Sequence, residues 1–304
     1  MKPPVSTETR QTVIELRRCH SISQVSEQTG LPVGTVKTIC HRSGLFRDNA
    51  QHRALFSLPP IQTSSQTLPA IAADLPEQKA VTGDHEIDAV LWLREVIGTG
   101  QAALIDRAML AAQKIKTPLP DLEKRYREHL VSANPGHWGA GLFSFGFGDL
   151  DSLAKESIRK LTRRNEAMAR FGDAGTLFAE TDAEQFCLKT LKGLKTGKHE
   201  WRLDGAKVAA RFKACPEFMP NTLSDCLAER YFWHELYALR DAEGGTGAGD
   251  MSTEATARED FAFACLAKIR PRNKAESVAV LHYLAKGERM EREETNDILL
   301  NLLA

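Results

Sequence analysis

The chain has 304 residues, 42% of them hydrophobic and 26% charged, with 40 basic and 40 acidic side chains that leave a formal net charge of zero. Those values sit near globular averages and exclude wholesale disorder, and the length admits one large domain or two to three ordinary ones around a substantial core. The zero balance hides an asymmetry: residues 1–56 carry eight basic groups (Lys2, Arg10, Arg17, Arg18, Lys37, Arg42, Arg47, Arg53) against four acidic ones (Glu8, Glu15, Glu27, Asp48), a net of +4 that leaves −4 for the remainder.

A first helix is expected over residues 7–20, with Thr7 as its N-cap, Val13, Ile14 and Leu16 turned to a core, and Arg17 and Arg18 turned outward. Residues 22–41 then carry the pattern of a helix-turn-helix. Gly30 stands where the first of two helices must end in a sharp turn, a position that favours positive φ. Val25 falls inside the first helix, and Leu31, Val36 and Ile39 are spaced to pack back onto it. Ser26 is small where the helices cross, and Pro32 suits a helix start. Val33, Thr35, Lys37, Thr38, His41 and Arg42 are left facing outward, a set suited to a phosphate-lined groove. The cation excess lies on the same segment, as an electrostatic DNA footprint requires.

The run Leu31-Pro32-Val33-Gly34-Thr35-Val36-Lys37-Thr38, followed by His41-Arg42, resembles the DNA-binding region 4 of extracytoplasmic-function sigma factors. It is also similar to the helix-turn-helix of resolvases and of LuxR-type regulators. The resemblance covers about residues 7–45. It implies a fold and contact with double-stranded DNA through Arg17, Arg18, Val33, Thr35, Lys37, Thr38, His41 and Arg42. Sigma function itself is not expected, because only six residues precede the first helix.

Residues 45–56 are expected to extend the head, which gives a DNA-binding domain over 1–56. Residues 57–84 change character: Pro59, Pro60, Pro69 and Pro76 break a Ser/Thr/Gln/Ala-rich stretch that reads as a flexible linker. Beyond it the spacing of apolar residues is helical almost throughout, with stretches at 102–115, 121–131, 149–171, 182–195, 205–214, 222–241, 253–269, 274–286 and 290–303. Alternating β-branched runs are missing, so an all-α chain is expected: a helix-turn-helix head, a Pro-rich linker, and a multi-helix body. Glycines at 244, 245, 247 and 249 divide that body into residues 85–243 and a C-terminal subdomain over 244–304.

Few groupings in the body invite chemistry. The run Gly193-Leu194-Lys195-Thr196-Gly197-Lys198-His199 is one residue short of a P-loop and puts His199 where Mg²⁺ would need a hydroxyl, so it reads as a lysine-rich turn. In residues 136–148 Trp138, Phe143, Phe145 and Phe147 alternate with glycines, and are expected to plug the helical core rather than form a ligand loop or partner surface. His234-Glu235 lacks a second histidine, since Ala238 stands four residues on. The pairs Cys19-His20 and Cys40-His41 read as small buried thiols beside exposed imidazoles. Arg159, Lys160, Arg163, Arg164 and Arg170 read as a solvated helix face.

No catalytic triad or paired-carboxylate spacing singles itself out, so no enzyme, cofactor or metal is expected. Six scattered cysteines without a C-x-x-C pair suit reduced thiols. No secretory pattern follows Met1, and no apolar run approaches the roughly 18 residues of a membrane span, so a cytoplasmic protein without a membrane partner is expected. The aliphatics Ile298, Leu299, Leu300, Leu302 and Leu303 crowd one short helix and must be covered, either by Val278, Leu281, Tyr283 and Leu284 of the preceding helix or by a second subunit; a homo-oligomer contact is expected, and the helical body offers room for a protein partner. The whole is expected to be a sequence-specific transcriptional regulator, with a bacterial origin. A replication, partition or transfer accessory protein of a mobile element, and an enzyme or effector recruited to DNA by the head, are the alternatives.

Overall fold

The computed structural model describes residues 5–44, 46–62, 75–137, 139–196, 202–245 and 247–303, apart from the side chains of residues 18, 19 and 288. Every regular element among them is helical. In chain order these are α1 (Thr7–Cys19), α2 (Ile22–Thr29), α3 (Val33–Ser43), α4 (Ala50–Leu55) and α5 (His85–Gly98). Next come α6 (Ala102–Ala112), α7 (Leu119–Ala133), α8 (Leu150–Phe171), α9 (Ala174–Phe178) and α10 (Asp182–Leu191). The last are α11 (Gly205–Lys213), α12 (Leu223–Gly244), α13 (Thr253–Cys265), α14 (Lys274–Leu284) and α15 (Thr295–Leu303).

Contacts divide the chain into two units, each assembled from separate stretches. One holds residues 1–59, 178–238 and 247–304, and the other 60–177 and 239–246. Two of the unit boundaries, at 59/60 and 246/247, fall close to the expected divisions at 57 and 244, while the expected body over 85–243 is shared between the two units.

Within the first unit, α1, α2 and α3 close around a small core of Val13, Val25, Val36, Ile39 and Cys40. The cap of α1 lies one residue earlier than expected: Ser6, not Thr7, accepts from the Thr9 amide. Ser21 caps α2 in a reciprocal box with Gln24, satisfying two otherwise orphaned donors. Gly30 ends α2 at φ +64°, where a Cβ would be strained. Leu31 and Pro32 complete a short turn into α3, and the Ser26 hydroxyl donates to the Leu31 carbonyl at 2.6 Å.

Helix α4 belongs to a different core. The Asn49 side chain caps it by accepting from the Gln51 and His52 amides. Its Nδ2 donates to the carbonyls of Glu217 and Met219, each at 2.9 Å, and its backbone amide donates to Asp225. His52 and Phe56 are buried, the latter against Phe232 and Trp233. Residues 48–56 are thus part of the core built from α10 to α15.

Of the stretch expected as a linker, residues 57–62 and 75–84 are described. Residues 63–74 lie outside the described residues. The carboxylate of Asp88 gathers the amides of Val81, Thr82 and Gly83, and Trp92 donates to the Pro76 carbonyl, so the end of the stretch is an ordered lead into α5.

The second unit packs α5, α6, α7 and α8 around Ile87, Val90, Ile97, Ile105, Leu122, Phe147 and Leu150. Gly100, at φ +73°, brings the α5–α6 corner so close to α8 that a Cβ would stand 2.6 Å from the Ser157 carbonyl oxygen. Ser157 is consequently buried and Ile158 exposed. The aromatic loop departs from expectation. Among its described aromatics Phe147 is buried, stacked on Tyr126, while Phe143 and Phe145 are 76% and 69% exposed. Ser144 is the residue that turns inward, accepting from Arg127 Nε and donating to the Gly141 carbonyl, which leaves its two neighbours facing out. Trp138 lies outside the described residues.

Candidate nucleic-acid interface

The surface of α3 follows from its buried seam. Val36, Ile39 and Cys40 face α1 and α2, and at about 100° per residue the opposite face centres on Gly34, Thr38 and His41. Lys37 stands on one border of that face and Arg42 on the other. The Arg42 border opens into a groove shared with α1, lined by Val5, Arg10, Thr35, Thr38 and Arg42. Gly44, at φ +73°, ends the helix just beyond His41 and Arg42.

Individual side chains on this face are already partly committed. The Thr38 hydroxyl donates to the Gly34 carbonyl at 2.8 Å, so its lone pairs and its methyl group are what remain for a ligand. Arg47 donates to His41 Nε2, tying the segment after α3 to the outward face. Lys37 and Arg42 are exposed, as is Val33. Thr35, expected outward, is half-buried on the groove side.

Arg17 departs further from expectation. It lies four residues after Val13, and so on the same side of α1. Its Nη1 donates to the His20 carbonyl at 2.9 Å, and its guanidinium sits 5.5 Å from the Phe46 ring centre. Burial draws its pKa down, opposed by nearby Cys40. Its side chain therefore holds Phe46 against α1 rather than standing free for phosphate. The side chain of Arg18 lies outside the described residues. Arg10 joins Arg42 at the groove instead, a placement that depends on how α1 crosses α3 and that helical spacing alone does not reveal.

The same unit contains a buried polar centre that sequence reasoning missed. Glu229 of α12 accepts from Arg258 Nε at 2.6 Å and from Arg258 Nη2 at 2.9 Å, pairs with His52 Nε2 at 2.7 Å, and receives the Trp233 indole at 3.4 Å. All three ionisable groups are fully buried. The rings of Phe56, Phe186, Phe212 and Phe261 surround the Arg258 guanidinium. Burial alone would raise the Glu229 pKa, but Arg258 and His52 outweigh it and hold the carboxyl below its usual value. Outside this centre, Arg53 pairs with Asp225 at 2.6 Å, and Arg272 reaches Asp48 at 2.9 Å. These contacts clamp the segment that follows the candidate interface.

Other sequence candidates have structural roles. Arg163 and Arg170 pair with Glu166, and Arg164 with Glu243. Residues 193–196 follow the end of α10, and Gly197, Lys198 and His199 lie outside the described residues. His234 is exposed on α12, next to the buried Trp233. Cys40 is buried, and burial pushes its thiol up, with Arg17 opposing; the side chain of Cys19 lies outside the described residues. Burial also pushes Cys265 up to about 12, so it stays a protonated thiol. Among the described residues, no group of three or more His, Cys, Asp or Glu side chains could hold a metal ion, and no helix is long and apolar enough to cross a membrane. No protein-family model, curated protein or solved structure matches the chain.

Proposed function

We propose that this protein is a sequence-specific regulator that binds double-stranded DNA through a helix-turn-helix formed by α2, Gly30 and α3. The observation that carries this reading is the two-sidedness of α3. One side is a seam of Val36, Ile39 and Cys40, and the other presents Thr38 and His41 between two exposed cations. An 11-residue helix is about 16 Å long, and a free helix face of that size enters a major groove. The net charge of +4 over residues 1–56 supports the same reading.

In this reading Thr38 and His41 meet base edges, Lys37 and Arg42 reach phosphates, and Arg10 joins them across the groove. Because the Thr38 hydroxyl already donates within the helix, it is suited to accept from an amino group, while its methyl suits a thymine methyl. The small cation excess points to two copies acting together on half-sites about one helical turn apart. Leu300 and Leu303 of α15, 67% and 86% exposed, offer the apolar face for that pairing, although Ile298 of the same helix is spent on the core.

Selection of bound duplexes from a random pool, with affinity measured from 50 to 300 mM salt, tests the reading. The expected result is one enriched motif and an affinity that falls steeply with salt. Binding that shows no enriched motif would favour a general DNA-maintenance role, and no binding at any salt would remove DNA from the account.

A further inference from the structure

The charge of −4 carried beyond residue 56 conceals a second asymmetry, of opposite sign. Residues 189–213, from the end of α10 through α11, hold eight basic groups against Glu200 and Asp204, a net of +6 on less than half the length of the head segment. Most of that charge is unanswered. Lys189, Lys192, Lys195, Arg211 and Lys213 are exposed, and among the described residues none of the five enters an ion pair. Lys207 meets Asp204 at 3.6 Å, both of them exposed. The basic face of α8 is the contrast, since Glu166 and Glu243 answer three of its arginines.

Helical spacing gathers these cations on one surface. In α11, Val208 and Phe212 are buried, while Ala206 and Ala209 turn toward α13, with which they line a cavity. At about 100° per residue, Lys207 and Arg211 take the opposite flank. Phe212 also touches Phe186 of α10, with 5.8 Å between ring centres. With α13 on the alanine side, that contact sets α10 beside the flank of Lys207 and Arg211. Lys189 stands three residues after Phe186, on the same side of α10, and Lys192 one turn further at its C-cap. Among the described residues of 189–213 no large apolar side chain is exposed, so the surface lacks the wedge with which a basic helix enters a membrane. Lysines dominate it, and their hydrated point charges suit phosphates rather than base edges.

We infer that the outer surface of α10 and α11 is a second contact with double-stranded DNA, one that grips phosphates without regard to sequence. It belongs to the same unit as α1 to α3, and the chain limits how far away it can lie. Phe46 touches Arg17 of α1 and stands three residues before Asn49, whose side chain holds the Glu217 carbonyl. Glu217 is four residues past Lys213, so the end of α11 is within about 35 Å of Phe46, roughly one turn of duplex. The two surfaces therefore lie close enough to share one DNA molecule. Placing this contact on the duplex that α3 reads rests on the regulator reading, whereas the phosphate contact itself does not.

Fluorescence anisotropy of the full chain on a mixed-sequence duplex of about 40 base pairs, and on any motif that selection enriches, tests the contact from 50 to 300 mM salt. Combining Lys189→Gln, Lys192→Gln and Arg211→Gln, all at exposed side chains, should lower the slope of log affinity against log salt by about 2–3. Affinity for the mixed-sequence duplex should fall at least tenfold, and the order of preferred bases should not change. Combining Lys155→Gln, Lys274→Gln and Lys286→Gln removes the same charge elsewhere, and should move the slope by less than about 1. An unchanged slope in the first variant, or an equal fall in both, would overturn the inference. A slope loss confined to the first variant, with no motif enriched, would sink the regulator reading and keep this contact. An enriched motif with the slope unchanged would do the reverse, and no binding of any duplex at any salt would remove both.

Discussion

At Glu229 one carboxylate answers two buried partners, and the arithmetic of burial makes that residue a sensitive one. Removing one member of a fully buried ion pair leaves the other uncompensated and costs about 3–5 kcal/mol. Glu229→Ala is expected to lose that amount in urea unfolding, whereas the paired change Glu229→Leu with Arg258→Met should recover much of it. A double variant no more stable than Glu229→Ala would show that the ions contribute beyond mutual compensation. The pH dependence has a fixed sign. A carboxyl whose folded pKa lies below its ordinary value of 4.5 adds stability that is present above that value and lost as pH falls through the folded one. Glu229→Gln should therefore flatten the acid limb of a stability profile below the ordinary carboxyl value of 4.5. On α3 the contrast is between kinds of contact. Thr38→Ala is expected to change base preference at one or two positions, and Arg42→Ala to weaken binding to all sequences alike, as read by selection and by salt titration. The reverse pattern would mean that α3 lies rotated from the proposed pose.

Single elements carry their own consequences. Gly100→Ala combines a strained φ with a Cβ 2.6 Å from a carbonyl oxygen, so a loss of about 1–3 kcal/mol is expected in thermal unfolding. An unchanged melting temperature would place the α5–α6 corner farther from α8. The segment 48–56 predicts how fragments behave. A piece ending at residue 47 keeps the small core of α1 to α3, while one ending at 56 bares His52 and Phe56. The shorter piece should bind DNA at least tenfold more weakly than the full chain, measured by fluorescence anisotropy; equal affinity would remove any part for the body in binding. Much of this level was legible beforehand. The seam of Val25, Val36 and Ile39 follows from helical period alone, and the start of α1 is legible to within one residue, at Thr7 where Ser6 is the cap. What escaped depends on distant partners. Nothing near His52 announces Glu229, the inward turn of Ser144 sets the outward turn of Phe143 and Phe145, and the depth of Ser157 is decided by Gly100.

For the molecule as a whole, the exposed part of α15 is the place to test association. Deleting the helix would also remove Ile298 and the Asn301 amide that donates to the Leu266 and Ile269 carbonyls, so point changes are cleaner. Leu300→Asp with Leu303→Asp is expected to halve the mass in solution by light scattering while leaving helix content intact. A mass that stays the same would return α15 to the role of an ordinary core helix. The anchor of α4 bears also on how the chain is made. His52 and Glu229 are 177 positions apart, and a ribosome adding about 5–20 residues each second needs roughly 9 to 35 s to cover that interval. Throughout it the nascent chain carries α1 to α3 complete, while the histidine and phenylalanine of α4 await partners, and Arg258 emerges later still. The N-terminal helices are therefore born early but held in place last, so a chain stalled during synthesis displays them without their mooring.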